Sequence, residues 1–361
     1  MKFSLQVELH CTVSEAFRAL HNPDVFRRVS VPFLRFRPLS PRVFPERYVS
    51  GHSYVVSAYA LGFVPLGTQE INPVTTSAGT ERTFLDNGRG LTGALAKVTT
   101  FRHRMHLSPS GRGPTLLTDE LEFDAGILTP VMGVSFRLFW WWRHLKMKKL
   151  ARSWQSDRVR MWEARYSAGE MWSGRVNPTL SDSLEGVAKG TALEVGCGEG
   201  ADALWLAEEG FDVTAVDASP AALARGERER VSRVSRDHRP RIIRWIASDV
   251  LEDDLPTPPE QYDLVTAHFV HLPQEERDTL WAKLVDAVAP GGTLLIVGHS
   301  QDDVTAGVRR PPMELMFEGS DVLSVIPSGW SSRSAELRER THSTGNGATM
   351  TVRDVVVQAT R

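Results

Sequence analysis

Over its first ten residues the chain alternates strictly, with Phe3, Leu5, Val7 and Leu9 on one face and Ser4, Gln6, Glu8 and His10 on the other. A period of two predicts a half-buried strand. Ser14 then offers an N-cap for a helix over 15–20, and Asn22-Pro23 marks its break. Further strands are expected over 33–37, 54–61, 81–85, 97–107 and 116–123. Turns rich in glycine and proline separate them, such as Ser110-Gly111-Arg112-Gly113-Pro114. From about Thr129 to Trp154 the period becomes helical, marked by Val131, Val134, Phe136, Leu138, Trp141, Leu145 and Leu150. Trp140, Trp141 and Trp142 cannot share one helical face. Part of this trio is therefore expected to be exposed or to meet a second domain, in preference to a membrane surface.

The second half has a different rhythm. A short apolar strand, 191–195, runs into Glu194-Val195-Gly196-Cys197-Gly198-Glu199-Gly200, and a helix over 201–209 follows. Glycine at 196, 198 and 200 lets the backbone turn tightly and approach a ligand without Cβ interference. A strand over 212–216 ends in Asp217, placed to accept hydrogen bonds from both hydroxyls of a ribose. Another, 242–246, leads into Ala247-Ser248-Asp249-Val250. Strand 263–267, the turn Pro290-Gly291-Gly292, strand 293–298 and a strand-like segment over 349–360 complete the series.

A length of 361 residues fits two domains, expected at 1–153 and 154–361 with a polar linker near 153–160. The net charge of -2 offers no general attraction to nucleic acid or anionic membrane. Two cysteines, Cys11 and Cys197, cannot build a disulfide or zinc framework, which suits a reducing cytoplasm. Glu8 and Glu15 interrupt any signal-peptide core. The stretch 48–69 lacks charged residues, but His52, Pro65 and Gly51, Gly62 and Gly67 break it, so strands are expected there and no membrane span.

Glu194-x-Gly196-x-Gly198-x-Gly200, the acids Asp217 and Asp249, the Pro-Gly-Gly turn and a reversed last strand together resemble class I S-adenosylmethionine-dependent methyltransferases over roughly 160–361. Trp162-Glu163-Ala164-Arg165-Tyr166, Trp172-Ser173-Gly174 and Asn177-Pro178 resemble the lid of the tellurite-resistance and thiopurine methyltransferase group, and His268-Phe269-Val270-His271-Leu272-Pro273 is similar to its small-molecule members. This implies S-adenosyl-L-methionine as cofactor, held by Glu194, Gly196, Cys197, Gly198, Gly200, Asp217, Ala218, Asp249, Val250, His268 and Trp172. Residues 1–152, with one strand, a helical turn, a meandering antiparallel sheet and a long closing helix, resemble the SRPBCC (START-like, polyketide cyclase-like) superfamily. The implied architecture is an α+β helix-grip domain with an apolar ligand, followed by an α/β doubly wound, Rossmann-like methyltransferase domain with a seven-stranded sheet.

Methyl transfer from a sulfonium is an in-line displacement in which the protein mainly aligns the acceptor. His299 and His268 are the candidate acid–base residues, with His271 nearby; each also reads as a structural histidine. Their spacing does not suggest a metal. Glu194 is expected to brace the loop; Asp217 also suits a helix cap, and Asp249 a turn. The Asn/Asp-Pro-Pro-aromatic tetrapeptide of amine methylation on bases is replaced by His268-Phe269-Val270-His271, and Cys197 lacks the Pro-Cys context of cytosine C5 methylation, so a small-molecule acceptor is favoured over nucleic acid. Eight arginines between Arg225 and Arg244 are interleaved with Glu227, Glu229 and Asp237 and read as a solvated face. Arg309-Arg310 could instead meet an anionic acceptor. Two alternatives stand: a ligand carrier whose second domain binds the cofactor without turnover, and an NAD-dependent oxidoreductase built on the glycine loop.

Overall fold

The computed structural model describes residues 1–111, 114–169, 174–237, 242–256, 261–305, 311–343 and 349–361. Of its two compact units, the first holds residues 1–110 and 114–161 and the second chiefly 162–361. Strands of the first are β1 (Lys2–Leu9), β2 (Leu34–Ser40), β3 (Tyr54–Ala60), β4 (Val64–Ile71), β5 (Pro73–Ala78), β6 (Glu81–Asp86), the two-residue β7 (Arg89–Gly90), β8 (Thr100–Pro109) and β9 (Thr115–Asp124). They form an antiparallel five-stranded sheet in the order β1-β9-β8-β6-β5 and a four-stranded one in the order β2-β3-β4-β7. The alternation of the first residues is realised along β1, from Lys2 opposite Glu122 to Leu9 opposite Thr115. β4 carries the strands expected within 48–69 on to Ile71, and β5 lies beyond the expected strands. β8 starts at Thr100 rather than 97, since Leu95–Lys97 forms a 3₁₀ turn.

Helix α1 (Val13–His21) is capped by Thr12, not by Ser14. Thr12 Oγ1 accepts the Glu15 N–H at 3.2 Å and Glu15 Oε2 accepts the Thr12 N–H at 2.9 Å, closing a capping box. Glu15 Oε1 also accepts the Ser156 N–H at 2.6 Å. Asn22-Pro23 ends α1 and at once starts α2 (Pro23–Ser30), with Asn22 Oδ1 accepting the Asp24 N–H.

The long helix α3 (Thr129–Leu150) turns a different face inward from the one its apolar period suggests. Val131, Val134, Leu138 and Trp141 are exposed, whereas Trp140, Arg143, His144 and Met147 are buried. The cause is polar: Asp119 of β9 is fully buried and accepts from Trp140 Nε1 and His144 Nε2, each at 3.1 Å, which fixes the helix rotation. The three tryptophans accordingly diverge. Trp140 is buried, Trp141 exposed, and Trp142 Nε1 donates to the Val31 carbonyl at 2.9 Å.

Helix α4 (Asp157–Ala168) begins among the residues of the first unit and ends among those of the second. In the second unit, helices α5 (Pro178–Ser183), α6 (Ala201–Glu208), α7 (Pro220–Asp237) and α8 (Gln274–Ala287) accompany strands β10 (Thr191–Val195), β11 (Asp212–Asp217), β12 (Ile243–Ala247), β13 (Tyr262–His268) and β14 (Val288–His299), before β15 (Ser332–Ser343) and β16 (Thr349–Thr360). The sheet has seven strands in the order β12-β11-β10-β13-β14-β16-β15, parallel except for β16 against both neighbours. Its central strands bury both faces: Leu193 and Val195 join one core with Val265 and Ile296, and Ala192 joins another with Val213, Ala215 and Leu264. Pro290-Gly291-Gly292 sits inside β14 as an irregularity, with Gly291 at φ 79° and a register shift against β13 between Tyr262 and Leu264. β10 and β13 are adjacent but not consecutive, so the loops at their carboxyl ends diverge and leave a crevice.

Replacing Glu15 by Ala removes an acceptor for two backbone N–H groups and is expected to lower the unfolding free energy by about 1–3 kcal/mol in urea titration. Ser14→Ala, outside the capping box, is expected to be nearly neutral; equal losses would return the cap to Ser14.

Candidate functional site

The elbow at the end of β10 is built from backbone conformations that side chains resist. Gly196 has φ 74°, Gly198 φ 53° and Gly200 φ 78°. A Cβ at Gly200 would lie 2.3 Å from the Trp245 ring, whose Nε1 donates to Glu227 at 3.0 Å, and one at Gly196 would lie 2.5 Å from Val270. The N–H groups of Gly196 and Cys197 both donate to the Val216 carbonyl, at 2.8 and 3.1 Å, tying the elbow to β11. α6 begins straight after Gly200 with no side-chain cap.

Asp217, at the end of β11, accepts the Gly198 N–H at 2.9 Å through one oxygen and the Ser219 N–H at 2.8 Å through the other. Burial raises its carboxyl to about 6, against the lowering effect of those two amides. Glu194, on β10, is 3% exposed, and its Oε2 has no hydrogen-bond partner. Burial, reinforced by Asp202 and Asp217, pushes its carboxyl well above the usual range. Three carboxyl groups thus converge on one elbow. Cys197 lies among them, its thiol driven up by burial and by Glu194, so it is unsuited to act as a nucleophile.

The neighbouring loop is anchored beside Asp217, whose carbonyl accepts the Ser248 N–H at 3.0 Å. Asp249 is buried, and its Oδ1 accepts the Leu251 N–H at 3.2 Å. The Val250 carbonyl accepts from Lys283 Nζ at 2.7 Å. Ala218, half-buried, connects Asp217 to Ser219. Glu163, from the expected lid, caps α7: its Oε2 accepts from Ser219 Oγ at 2.6 Å and from the Ala221 N–H at 3.0 Å. Trp172 and Arg309-Arg310 lie outside the described residues.

The two candidate histidines have different surroundings. His268 is buried with both ring nitrogens engaged, Nδ1 with Asp202 at 2.8 Å and Nε2 with the Thr266 hydroxyl at 2.8 Å. His299 is half-buried at the end of β14, its Nδ1 3.6 Å from Asp354. Asp354 is fully buried and also holds Arg340 Nε at 2.5 Å. Burial opposes its charge, but His299 and Arg340 together keep its carboxyl below the ordinary range. The ring of His299 packs against those of Phe269 and His271, with centroids 4.3 and 5.0 Å away, and Phe269 adopts φ 55°, a strained conformation for a bulky residue.

Asp202, Phe269, Arg340 and Asp354 were not anticipated from sequence. Asp354 carried a signal, an acid set in the apolar run Val352 to Val357. Arg340 is 14 residues away along a hairpin, beyond any local pattern. Within the arginine-rich stretch, Arg225, Arg230 and Arg233 pair with Glu199, Glu227, and Glu229 with Glu208, as a solvated face does. Among the described residues no helix is long and apolar enough to cross a membrane.

Residues 192–292 match a family model described as Methyltransferase domain. Over 143 residues the chain is 32% identical to glycine N-methyltransferase of Homo sapiens and of Oryctolagus cuniculus, covering 36% of this chain and 48% of theirs. It is 29% identical over 127 residues to an uncharacterized methyltransferase of Mycobacterium bovis, covering 35% of this chain and 59% of that one. The chain thus spans about half the length of the curated relatives it matches. Among solved structures, the N-methyltransferase NodS from Bradyrhizobium japonicum in complex with S-adenosyl-L-homocysteine aligns with TM-score 0.42 and 19% identity over 57% of this chain and 99% of that one.

Gly200→Ala is expected to cost about 2–4 kcal/mol in urea unfolding, combining left-handed strain with the Trp245 clash. Gly210→Ala, also left-handed but with open space around it, is expected to cost about 1–2 kcal/mol. Equal costs would show that the ring yields freely.

Proposed function

We propose that the second unit is an S-adenosyl-L-methionine-dependent methyltransferase acting on a small molecule, and that the first unit binds an apolar ligand. The observation that carries the first statement is the convergence of Glu194, Asp202 and Asp217 on the glycine elbow, with Glu194 Oε2 buried and unpartnered. Such a cluster attracts a ligand with positive charge and hydrogen-bond donors. It repels the diphosphate of a nicotinamide nucleotide, which favours the sulfonium cofactor over the oxidoreductase alternative. The similarity of residues 192–292 to methyltransferase domains supports the same choice.

When bound, the cofactor supplies a methyl group already activated on sulfur. The chain's own contribution is placement. Glycines 196, 198 and 200 open the backbone to close approach, and Asp217 has lone pairs left for ribose hydroxyls beyond the two amides it already accepts. Asp249 and Val250 border the place for the base, and Ala218 lies between the two acidic loops. His268 acts through Asp202, holding that carboxylate beside the elbow as a positioning residue. The aromatic wall of Phe269, His271 and His299 excludes water and gives a flat acceptor a surface to lie on. His299, steadied by Asp354, is the group able to take a proton from an acceptor that arrives protonated; a thiolate or metalloid oxyanion needs none. The lid resemblance favours thiol or metalloid acceptors, and the similarity to glycine N-methyltransferase favours an amine.

Calorimetry with S-adenosyl-L-methionine tests the cofactor. Binding is expected at micromolar concentrations, and Asp217→Ala should weaken it by about 1–3 kcal/mol. No heat from the native chain would end the proposal. Bound cofactor with no product from thiol, metalloid-oxyanion or amine acceptors would favour a carrier without turnover.

Binding should also depend on pH. The Asp217 carboxyl is raised by folding to about 6, so its share of the unliganded protein's stability is present at low pH and lost as pH rises through about 4 to 6. The ionised form accepts ribose hydroxyls more strongly than the protonated one, so cofactor affinity should fall as pH drops from 7.5 to 5; a flat profile would remove Asp217 from the contact.

A further inference from the structure

The first unit encloses a cavity of about 310 Å³. Most of its wall is apolar, including Phe26, Phe36, Leu66, Phe84, Phe136 and Met147. The rest is polar: Tyr48, Glu70, Asp86, Arg89, His103 and Arg143 also line it. Behind them Asp119 is fully buried and shared among several donors, His103 Nε2 at 2.5 Å, Trp140 Nε1 at 3.1 Å and His144 Nε2 at 3.1 Å. Arg143 reaches that carboxylate only at 3.6 Å.

Arg143 is 6% exposed and poorly served. One terminal nitrogen contacts His103 Nε2 at 3.3 Å, the other donates to the Met105 sulfur at 3.0 Å, and Nε has no partner. The buried Tyr48 hydroxyl, also in the wall, has none either. A guanidinium taken out of water demands strong acceptors, and a thioether is a weak one. We infer that this polar end of the cavity receives the carboxylate head of an otherwise apolar molecule, with Arg143 and Tyr48 as its donors.

The inference rests on the reading of the first unit as a ligand-binding domain and names the chemical class it takes, a fatty or aryl carboxylate. A neutral alcohol leaves the guanidinium as under-compensated as before, and an ammonium head opposes it directly. Three carboxylates lie in or behind the wall. Glu70, in the wall, pairs with Arg89 Nε at 3.3 Å. Asp119 lies behind the wall with its two oxygens already taken by His103, Trp140 and His144. Asp86 Oδ1 accepts the N–H groups of Asn72 and Gly88 at 2.9 Å, and burial, working against those two bonds, pushes its carboxyl toward the neutral form. Burial likewise destabilises the charged Arg143, with Asp119 and Asp86 offsetting it only in part.

The test titrates the full chain with decanoate, decanol and decylamine by calorimetry. Decanoate is expected to bind about tenfold tighter than decanol, with decylamine weakest. Arg143→Gln should abolish this preference while leaving S-adenosyl-L-methionine binding within about twofold of the native chain. If that variant fails to fold, Tyr48→Phe, which removes a hydroxyl with no partner, should cut the preference by about threefold or more. Decanol or decylamine matching decanoate in the native chain would overturn the head-group assignment alone. Absence of binding by all three would overturn it together with the ligand-binding reading of the first unit.

Discussion

The second unit depends on one constraint: a parallel sheet whose two central strands, β10 and β13, are separated in sequence must send their following loops in opposite directions. Glu194 comes with β10, Asp202 with the first turn of the helix that follows it, and Asp217 with the neighbouring β11, so the elbow and the β10–β11 pairing gather three acids. Mutual repulsion and burial make that gathering costly, and the amides of Gly198 and Ser219 offset part of the cost at Asp217. Nothing comparable serves Glu194 Oε2. The elbow is thus held open by glycine conformations and left electrostatically incomplete, the condition in which a cationic ligand gains most.

The first unit follows the same logic with a different charge. Asp119 is buried on β9, and its requirement for donors sets the rotation of α3, turning Trp140, Arg143 and His144 inward and leaving Val131, Val134, Leu138 and Trp141 in solvent. Apolar residues lie on both sides of that helix, with Phe136, Phe139, Met147 and Leu150 packed inward, so hydrophobic period alone does not set its rotation. A buried carboxylate without partners costs more than several exposed apolar side chains, so the polar contact wins.

This contrast explains what could be read in advance. Strands with clean alternation or continuous apolar runs, such as β1, β10 and β11, were legible because their pattern reports burial directly. The glycine elbow was legible because left-handed backbone restricts the residue types allowed there, and Asp217 because it closes an apolar strand. Pairings across distant segments were not: His299 with Asp354 and Arg340, and the cluster on Asp119, arise from strand register and helix packing far along the chain. Thr12 rather than Ser14 as the α1 cap is a subtler case, since both residues suit the role and only the reciprocal bond from Glu15 decides.

Whether the carboxyl groups around the elbow hold the adenosyl cofactor is decided by a crystal structure grown with S-adenosyl-L-homocysteine. The ribose hydroxyls are expected against Asp217 and the ligand's amino group against Glu194 Oε2. Ligand density elsewhere, with Glu194 Oε2 still unpartnered, would contradict this placement.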